Sequence, residues 1–262
     1  MSDLEFAVVN RVAWIRLNRP QQKNAFTLEM IDEWAGRLRD AAADPGIGAV
    51  VVTGNGGSFC SGVDLAVIEE LQRRGSAQDW KSLLWDRIHR IAFTLERMDK
   101  PVIAAVAGSA VGAGMDMSLM CDMRFAGRSA RFCEGYIRIG AVPGDGGCYF
   151  LPRIVGTAKA LELFLTGDFI DADEALRIGL VNRVCDDAEL EAQAQRFAER
   201  MLAHSPLALR MIKRAVYQSR DADLRTSLDM ISSHMGIVQT TADAQEAFNA
   251  FRERRTPRFK GA

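Results

Sequence analysis

Hydrophobic positions change period several times along the first half of the chain. Phe6 to Leu17 holds two β-rich runs around Asn10-Arg11, which predicts a hairpin, and Asn18-Arg19-Pro20 ends it. Thr27 then suits a helix N-cap, with Leu28, Ile31, Trp34, Ala35 and Leu38 at helical spacing until Asp44-Pro45-Gly46. The unbroken apolar runs at 49–53 and 102–106 predict buried parallel strands, since a strand covered on both faces carries no polar alternation. Between them lies a mostly helical stretch from about Trp80 to Met98. Met115 to Met120 reads as the start of a buried helix, and 124–126 and 130–132 as short strands. From Ala158 onward the pattern is almost entirely helical, through 175–178, 189–202, 206–219 and 224–255.

Strands alternating with helices, followed by a run of helices, predict an α/β core and a helical C-terminal module. The division is placed at 1–200 for the core and 201–262 for the module, which is expected to pack on the core or on a neighbouring subunit. No repeat or low-complexity linker interrupts the chain.

Composition narrows the function classes. The 262 residues are 48% hydrophobic, with 33 Lys+Arg against 34 Asp+Glu. That balance is ordinary for a soluble globular protein and argues against a nucleic-acid partner, which would want a basic stripe. The longest apolar stretch, 101–120, is interrupted by Gly108, Ser109, Gly112, Gly114 and Asp116, so a membrane partner is not expected. Five cysteines, none spaced as C-x-x-C, and no secretory leader predict reduced thiols and a cytoplasmic protein. His89, His204 and His234 lack metal-ligand spacing and are read as exposed or core residues; no metal site is expected.

Three glycine-rich segments carry the candidate chemistry: 54–62, 108–114 and 143–147. The second falls between a strand and a helix, where unpaired N–H groups can hold an anion or an oxygen gaining negative charge. The dinucleotide fingerprint is only half met there, because Gly112 and Gly114 fit but Met117 stands in the third glycine's place. An oxyanion site would need a second donor, which the first glycine loop could supply.

The segments NRPQQKNAFT, FCSGVDL, KPVIAAVAGSAVGAGMDMSLMCD, GAVPGDGGCYFLPRIVG and LTGDFIDADEALRIGLVNRV occur in that order. Together they resemble the enoyl-CoA hydratase/isomerase (crotonase) superfamily along nearly the whole chain. The resemblance implies an α/β spiral of ββα units closed by a C-terminal helical trimerisation module, assembled as a homotrimer or a dimer of trimers. It implies an acyl-coenzyme A substrate whose enolate is stabilised by the backbone N–H groups of Val63 and Ala113. Coenzyme A would arrive as part of the substrate, with no separate cofactor, and would lie along Lys23 to Ala25 and Ser61 to Ala66, including Asp64 and Leu65. The middle residue of Gly112-Ala113-Gly114 is usually glycine in the family, so the Ala113 methyl is expected to narrow the hole.

Hydratases of the family carry two glutamates; here their positions hold Asp116 and Tyr136. Asp116 falls in the first turn of its helix, where the dipole favours the anion that a base must be; a capping role is the simpler alternative. Asp145 is a second acid candidate, one residue beyond the position where family members often carry an acid and this chain has Gly144; turn formation is the alternative. Glu134 is a candidate that reads more simply as a surface residue, and Tyr136 as a proton donor or a packing aromatic. Within the resemblance, Asp116 with Asp145 points first to double-bond isomerisation, then to hydration, then to C–C hydrolysis or other acyl-CoA chemistry. A catalytically silent acyl-CoA-binding protein is the non-enzyme alternative. The basic tail from Arg252 to Lys260 is read as a solvated helix end or as a contact to a coenzyme A phosphate.

Overall fold

The computed structural model describes residues 2–261, the Arg74 side chain excepted. Strands β1 (Leu4–Val9) and β2 (Val12–Leu17) form the expected hairpin. Asn10 and Arg11 both take positive φ, 49° and 67°, the twist that a two-residue turn between right-twisted strands requires. Thr27 caps α1 (Leu28–Ala43) by accepting from the Met30 amide. Next come β3 (Ala49–Gly54), α2 (Leu65–Arg74), α3 (Ala77–Ser82), a π-helical turn at Leu83–Ile88, and α4 (Arg90–Arg97). The helix expected over 80–98 is thus broken by a wider turn.

Strand β4 (Val102–Val106) leads through β5 (Ser109–Val111) into α5 (Ala113–Leu119), which begins two residues before the expected Met115. Strands β6 (Met123–Gly127) and β7 (Arg131–Cys133) follow. Helices α6 (Gly147–Val155) and α7 (Thr157–Thr166), strand β8 (Ile170–Asp171), helix α8 (Ala172–Arg177) and strand β9 (Arg183–Cys185) come next. Strands β8 and β9 are the short exceptions that the almost entirely helical reading beyond Ala158 did not place. Each is too short to display a period; β9 is a strand because it pairs with β6 at the sheet edge.

The main sheet has the order β1-β2-β3-β4-β6-β9, parallel except for the hairpin, and β5-β7-β8 form a small second sheet. Alternation along the central strands splits the core in two. Ala13, Ile15, Val50, Val52, Val102 and Ala104 face α1 and α4. Val12, Trp14, Val51, Ile103 and Phe125 face Leu190, Ala194 and Ala198 of α9 (Leu190–Leu202).

Helices α10 (Pro206–Ser219), α11 (Leu224–Gln239) and α12 (Ala242–Glu253) complete the chain and bury little of themselves. Lys213 and Tyr217 anchor α10 to Asp122, each at 2.8 Å. Ile212, Val216, Leu228, Met235 and Phe248 stay exposed. The basic tail folds back on α12, where Arg255 pairs with Glu246 and Glu253 and the buried Asp243 accepts the Lys260 and Gly261 amides.

Candidate functional site

Two glycine loops meet at the start of α5. Val111 N–H donates to the Cys60 carbonyl at 3.0 Å, and Gly62 lies so close that a Cβ on it would come within 3.6 Å of the Ala113 nitrogen. Phe26 N–H donates to Gly62 and Asp64 N–H to Phe26, both at 2.9 Å, which passes over the Val63 amide between them. Ala113 opens α5, so its N–H has no carbonyl one turn back. Among the described residues neither amide has a protein acceptor. The Ala113 methyl is buried with the apolar core.

Helix α5 is buried on every side. A Cβ on Gly114 would come within 2.1 Å of the Cys60 carbonyl oxygen, so only glycine lets the helix approach that loop. At its far end the buried Arg124 donates to the carbonyls of Cys121 and Leu180, each at 2.7 Å. Sequence reasoning passed over this cap, although an arginine inside an apolar strand was a signal for it.

Asp116 therefore stands on a fixed turn, fully buried. The Tyr136 hydroxyl lies 2.7 Å from Asp116 Oδ2 and 2.8 Å from Asp145 Oδ2. A phenol has one hydrogen, so it can donate to only one of the two carboxyls at a time. Three groups that looked independent in sequence form one hydrogen-bonded cluster. Asp116 is not a helix cap, Asp145 is a buried acid rather than a solvated turn residue, and Tyr136 is more than a packing aromatic.

Glu134 corrects the surface reading. It is 1% exposed, and neither carboxyl oxygen has a hydrogen-bond partner among the described residues. Burial, followed by the Asp116 charge, pushes its pKa up to about 10, so it is a neutral acid at pH 7. Burial and then the Asp145 charge raise Asp116 to about 7, while the Tyr136 hydrogen bond and the Gly147 amide pull it down. Burial also raises Asp145, against the lowering influence of the Tyr136 hydrogen bond and of His89.

His89 was read as an exposed or core histidine and is neither. It is half-buried, and its Nε2 lies 2.7 Å from the Gly144 carbonyl oxygen, next to Asp145.

The residues expected along coenzyme A form a separate strip. Ser61 N–H donates to the Lys23 carbonyl at 3.0 Å, Ala25 is buried, and Leu65 is exposed. The Asp64 carboxylate accepts from Arg19 at 2.6 Å and caps α2 through the Ala66 amide at 2.9 Å. Among the described residues no cluster of His, Cys, Asp and Glu has the arrangement to hold a metal ion.

Residues 8–262 match the family model described as enoyl-CoA hydratase/isomerase. The chain belongs to the enoyl-CoA hydratase/isomerase family. It is 37% identical to a 2,3-dehydroadipyl-CoA hydratase of Escherichia coli over 262 residues, covering 100% of each chain. It is 34% identical to a crotonyl-CoA hydratase of Syntrophomonas wolfei, over 95% of this chain and 94% of the relative. The fold is equally close to solved members. A putative enoyl-CoA hydratase/isomerase of Mycobacterium abscessus superposes with a TM-score of 0.94 at 31% identity, over 99% of this chain and 100% of that one. An enoyl-CoA hydratase of Bacillus anthracis gives 0.91 at 33% identity over 100% of both. The protein is thus an enzyme of this family with the crotonase fold. Among the described residues no helix is long and apolar enough to cross a membrane.

Proposed function

We propose that this enzyme adds water across the 2,3 double bond of an enoyl-coenzyme A thioester. The observation that carries the reading is the Tyr136 hydroxyl spanning Asp116 and Asp145 beside the two free amides. The thioester oxygen would accept from Val63 N–H and Ala113 N–H, which favours the enolate over the ground state as charge develops. Asp116, as the carboxylate, takes a proton from water while the water oxygen bonds to C3. The double-bond electrons move into the enolate, and C2 then takes the Tyr136 proton. Tyr136 is refilled from protonated Asp145, and the proton gained by Asp116 returns through the phenol to Asp145. One water is added, and the three side chains end as they began.

The hydratase names of the relatives favour hydration over the isomerisation that the acid pattern first suggested. Isomerisation stands as a second reading because the same bridge could carry a proton between two carbons without water. Coenzyme A would run along Lys23 to Ala25 and Ser61 to Ala66. The exposed apolar residues of α10–α12 would be covered in a homotrimer or a dimer of trimers.

The test is NMR in heavy water with crotonyl-CoA and a 3-enoyl-CoA. Hydroxyacyl-CoA carrying deuterium at C2, lost in Asp116→Asn, supports hydration. Conversion of 3-enoyl to 2-enoyl thioester without hydroxyacyl product replaces it with isomerisation. Measurable thioester binding with neither reaction would sink both and leave other acyl-CoA chemistry or a binding protein.

A further inference from the structure

Residues 142–145 have few ties to the rest of the protein. Among the described residues two hydrogen bonds reach them from outside the loop: Tyr136 to the Asp145 carboxyl at 2.8 Å and His89 to the Gly144 carbonyl at 2.7 Å. The first is the bond that the proposed reaction makes and breaks, so it cannot also be what holds the loop still.

The second arises from the π-helical turn at Leu83–Ile88. His89 N–H donates to the Leu84 carbonyl at 2.8 Å, an i to i+5 bond that brings residues 84 and 89 to one side of the helix. Both then meet Gly144: Leu84 Cδ1 lies 3.1 Å from where a Cβ on it would be, and His89 takes its carbonyl. Edge-on contacts with Trp85 and Phe93, centroids 6.0 and 6.1 Å away, fix the imidazole plane. A carbonyl oxygen only accepts, so Nε2 must carry the hydrogen.

We propose that His89 is a positioning residue whose Nε2–H clamps the Gly144 carbonyl and so holds Asp145 in register with Tyr136 and Asp116. The proposal rests on the reading of Asp145 as a working acid. Asp145 is faced by Tyr136 from the 3₁₀ turn at Gly135–Ile139, by Asp116 from α5, by Glu134 and Cys60 at longer range, and by His89. Of these, His89 is the group that can bring positive charge.

Glutamine can place an amide N–H where Nε2 stands; asparagine is one methylene short and leucine has no donor. In His89→Leu and His89→Asn, kcat for the thioester substrate is expected to fall roughly ten- to a hundredfold, as for a misplaced reacting group, with KM little changed. His89→Gln should recover most of the rate. All three variants lose the imidazole that draws the Asp145 pKa down, so the alkaline limb of the rate profile, where that acid loses its proton, should move to higher pH in each. Nitrogen NMR of labelled histidine in the native enzyme should show the Nε2–H tautomer at neutral pH.

An Nδ1–H tautomer, or glutamine behaving no better than asparagine, overturns the proposal even if the leucine variant fails to fold. Asp145→Asn separates the two claims. If it is impaired while His89→Leu is not, the clamp alone is wrong; if it keeps full activity, Asp145 is no working acid and the clamp has no purpose.

Discussion

Asp116 Oδ1 occupies the space that a side chain on Gly147 would need: a Cβ there would come within 2.4 Å of it. Gly147 is the first residue of α6, where alanine would ordinarily favour the helix. Gly147→Ala is therefore expected to cost about 1–3 kcal/mol by overpacking a buried acid. Denaturant unfolding would measure that loss, and kcat should fall with it as Asp116 is pushed aside. A variant as stable and as active as the native enzyme would mean that the carboxyl has room to move.

Replacing Asp116 itself by asparagine keeps its volume and removes the proposed base. The expected loss in kcat is roughly 10²–10⁴-fold, the usual scale for a positioned proton acceptor. Thioester affinity should hold, because the Val63 and Ala113 amides are backbone groups that the change leaves in place. Titration calorimetry beside steady-state rates checks both halves.

Tyr136→Phe removes the hydrogen bond that draws the Asp116 pKa down from its burial-raised position. The pKa should then rise above its value of about 7. Since the base must be ionised, the acid limb of kcat/KM is expected to move to higher pH, alongside a loss of rate at every pH. A limb that stays in place would show that the phenol does not govern the base.

The neutral Glu134 makes a separate prediction about stability. A carboxyl whose pKa is higher in the folded than in the unfolded protein binds more protons when folded, so its contribution is full below the unfolded value and is lost as pH rises through the folded one. Relative to Glu134→Gln, the native protein should therefore lose stability from pH ~4.3 upward, by up to about 1.4 kcal/mol per pH unit. The loss should continue toward the folded pKa of about 10. Melting temperatures of the pair across pH give the difference directly, and parallel curves would refute the neutral acid.

What was legible in the sequence follows length and periodicity. The buried strands over 49–53 and 102–106, the Thr27 cap and the Asn10-Arg11 turn each declare themselves within a few residues. Asp116 was found as a candidate because it stands where hydratases of the family carry a glutamate, and its place in a helix's first turn is a local property that supported the reading. The Tyr136 bridge was not legible, since it depends on how a loop 9 residues downstream returns over α5. Glu134 looked like a surface residue because β7 is too short to reveal which face is inward. His89 was missed for a different reason: Ile88, Ile91 and Leu95 are the buried residues of that region, and the π turn shifts the register between them. Strand β9 owes its existence to β6, a partner far away in the chain.

Helix α5 has seven residues, too few to persist without support from outside. That support comes from the Cys60 loop at one end and from the Arg124 guanidinium at the other. Neither contact involves the side chain at position 116. The holder and the tool are mechanically separate, so the reacting group can be exchanged without dismantling its mount. A shelf built this way can be refitted for a new proton transfer one residue at a time, each intermediate keeping a folded scaffold and two unpaired backbone amides.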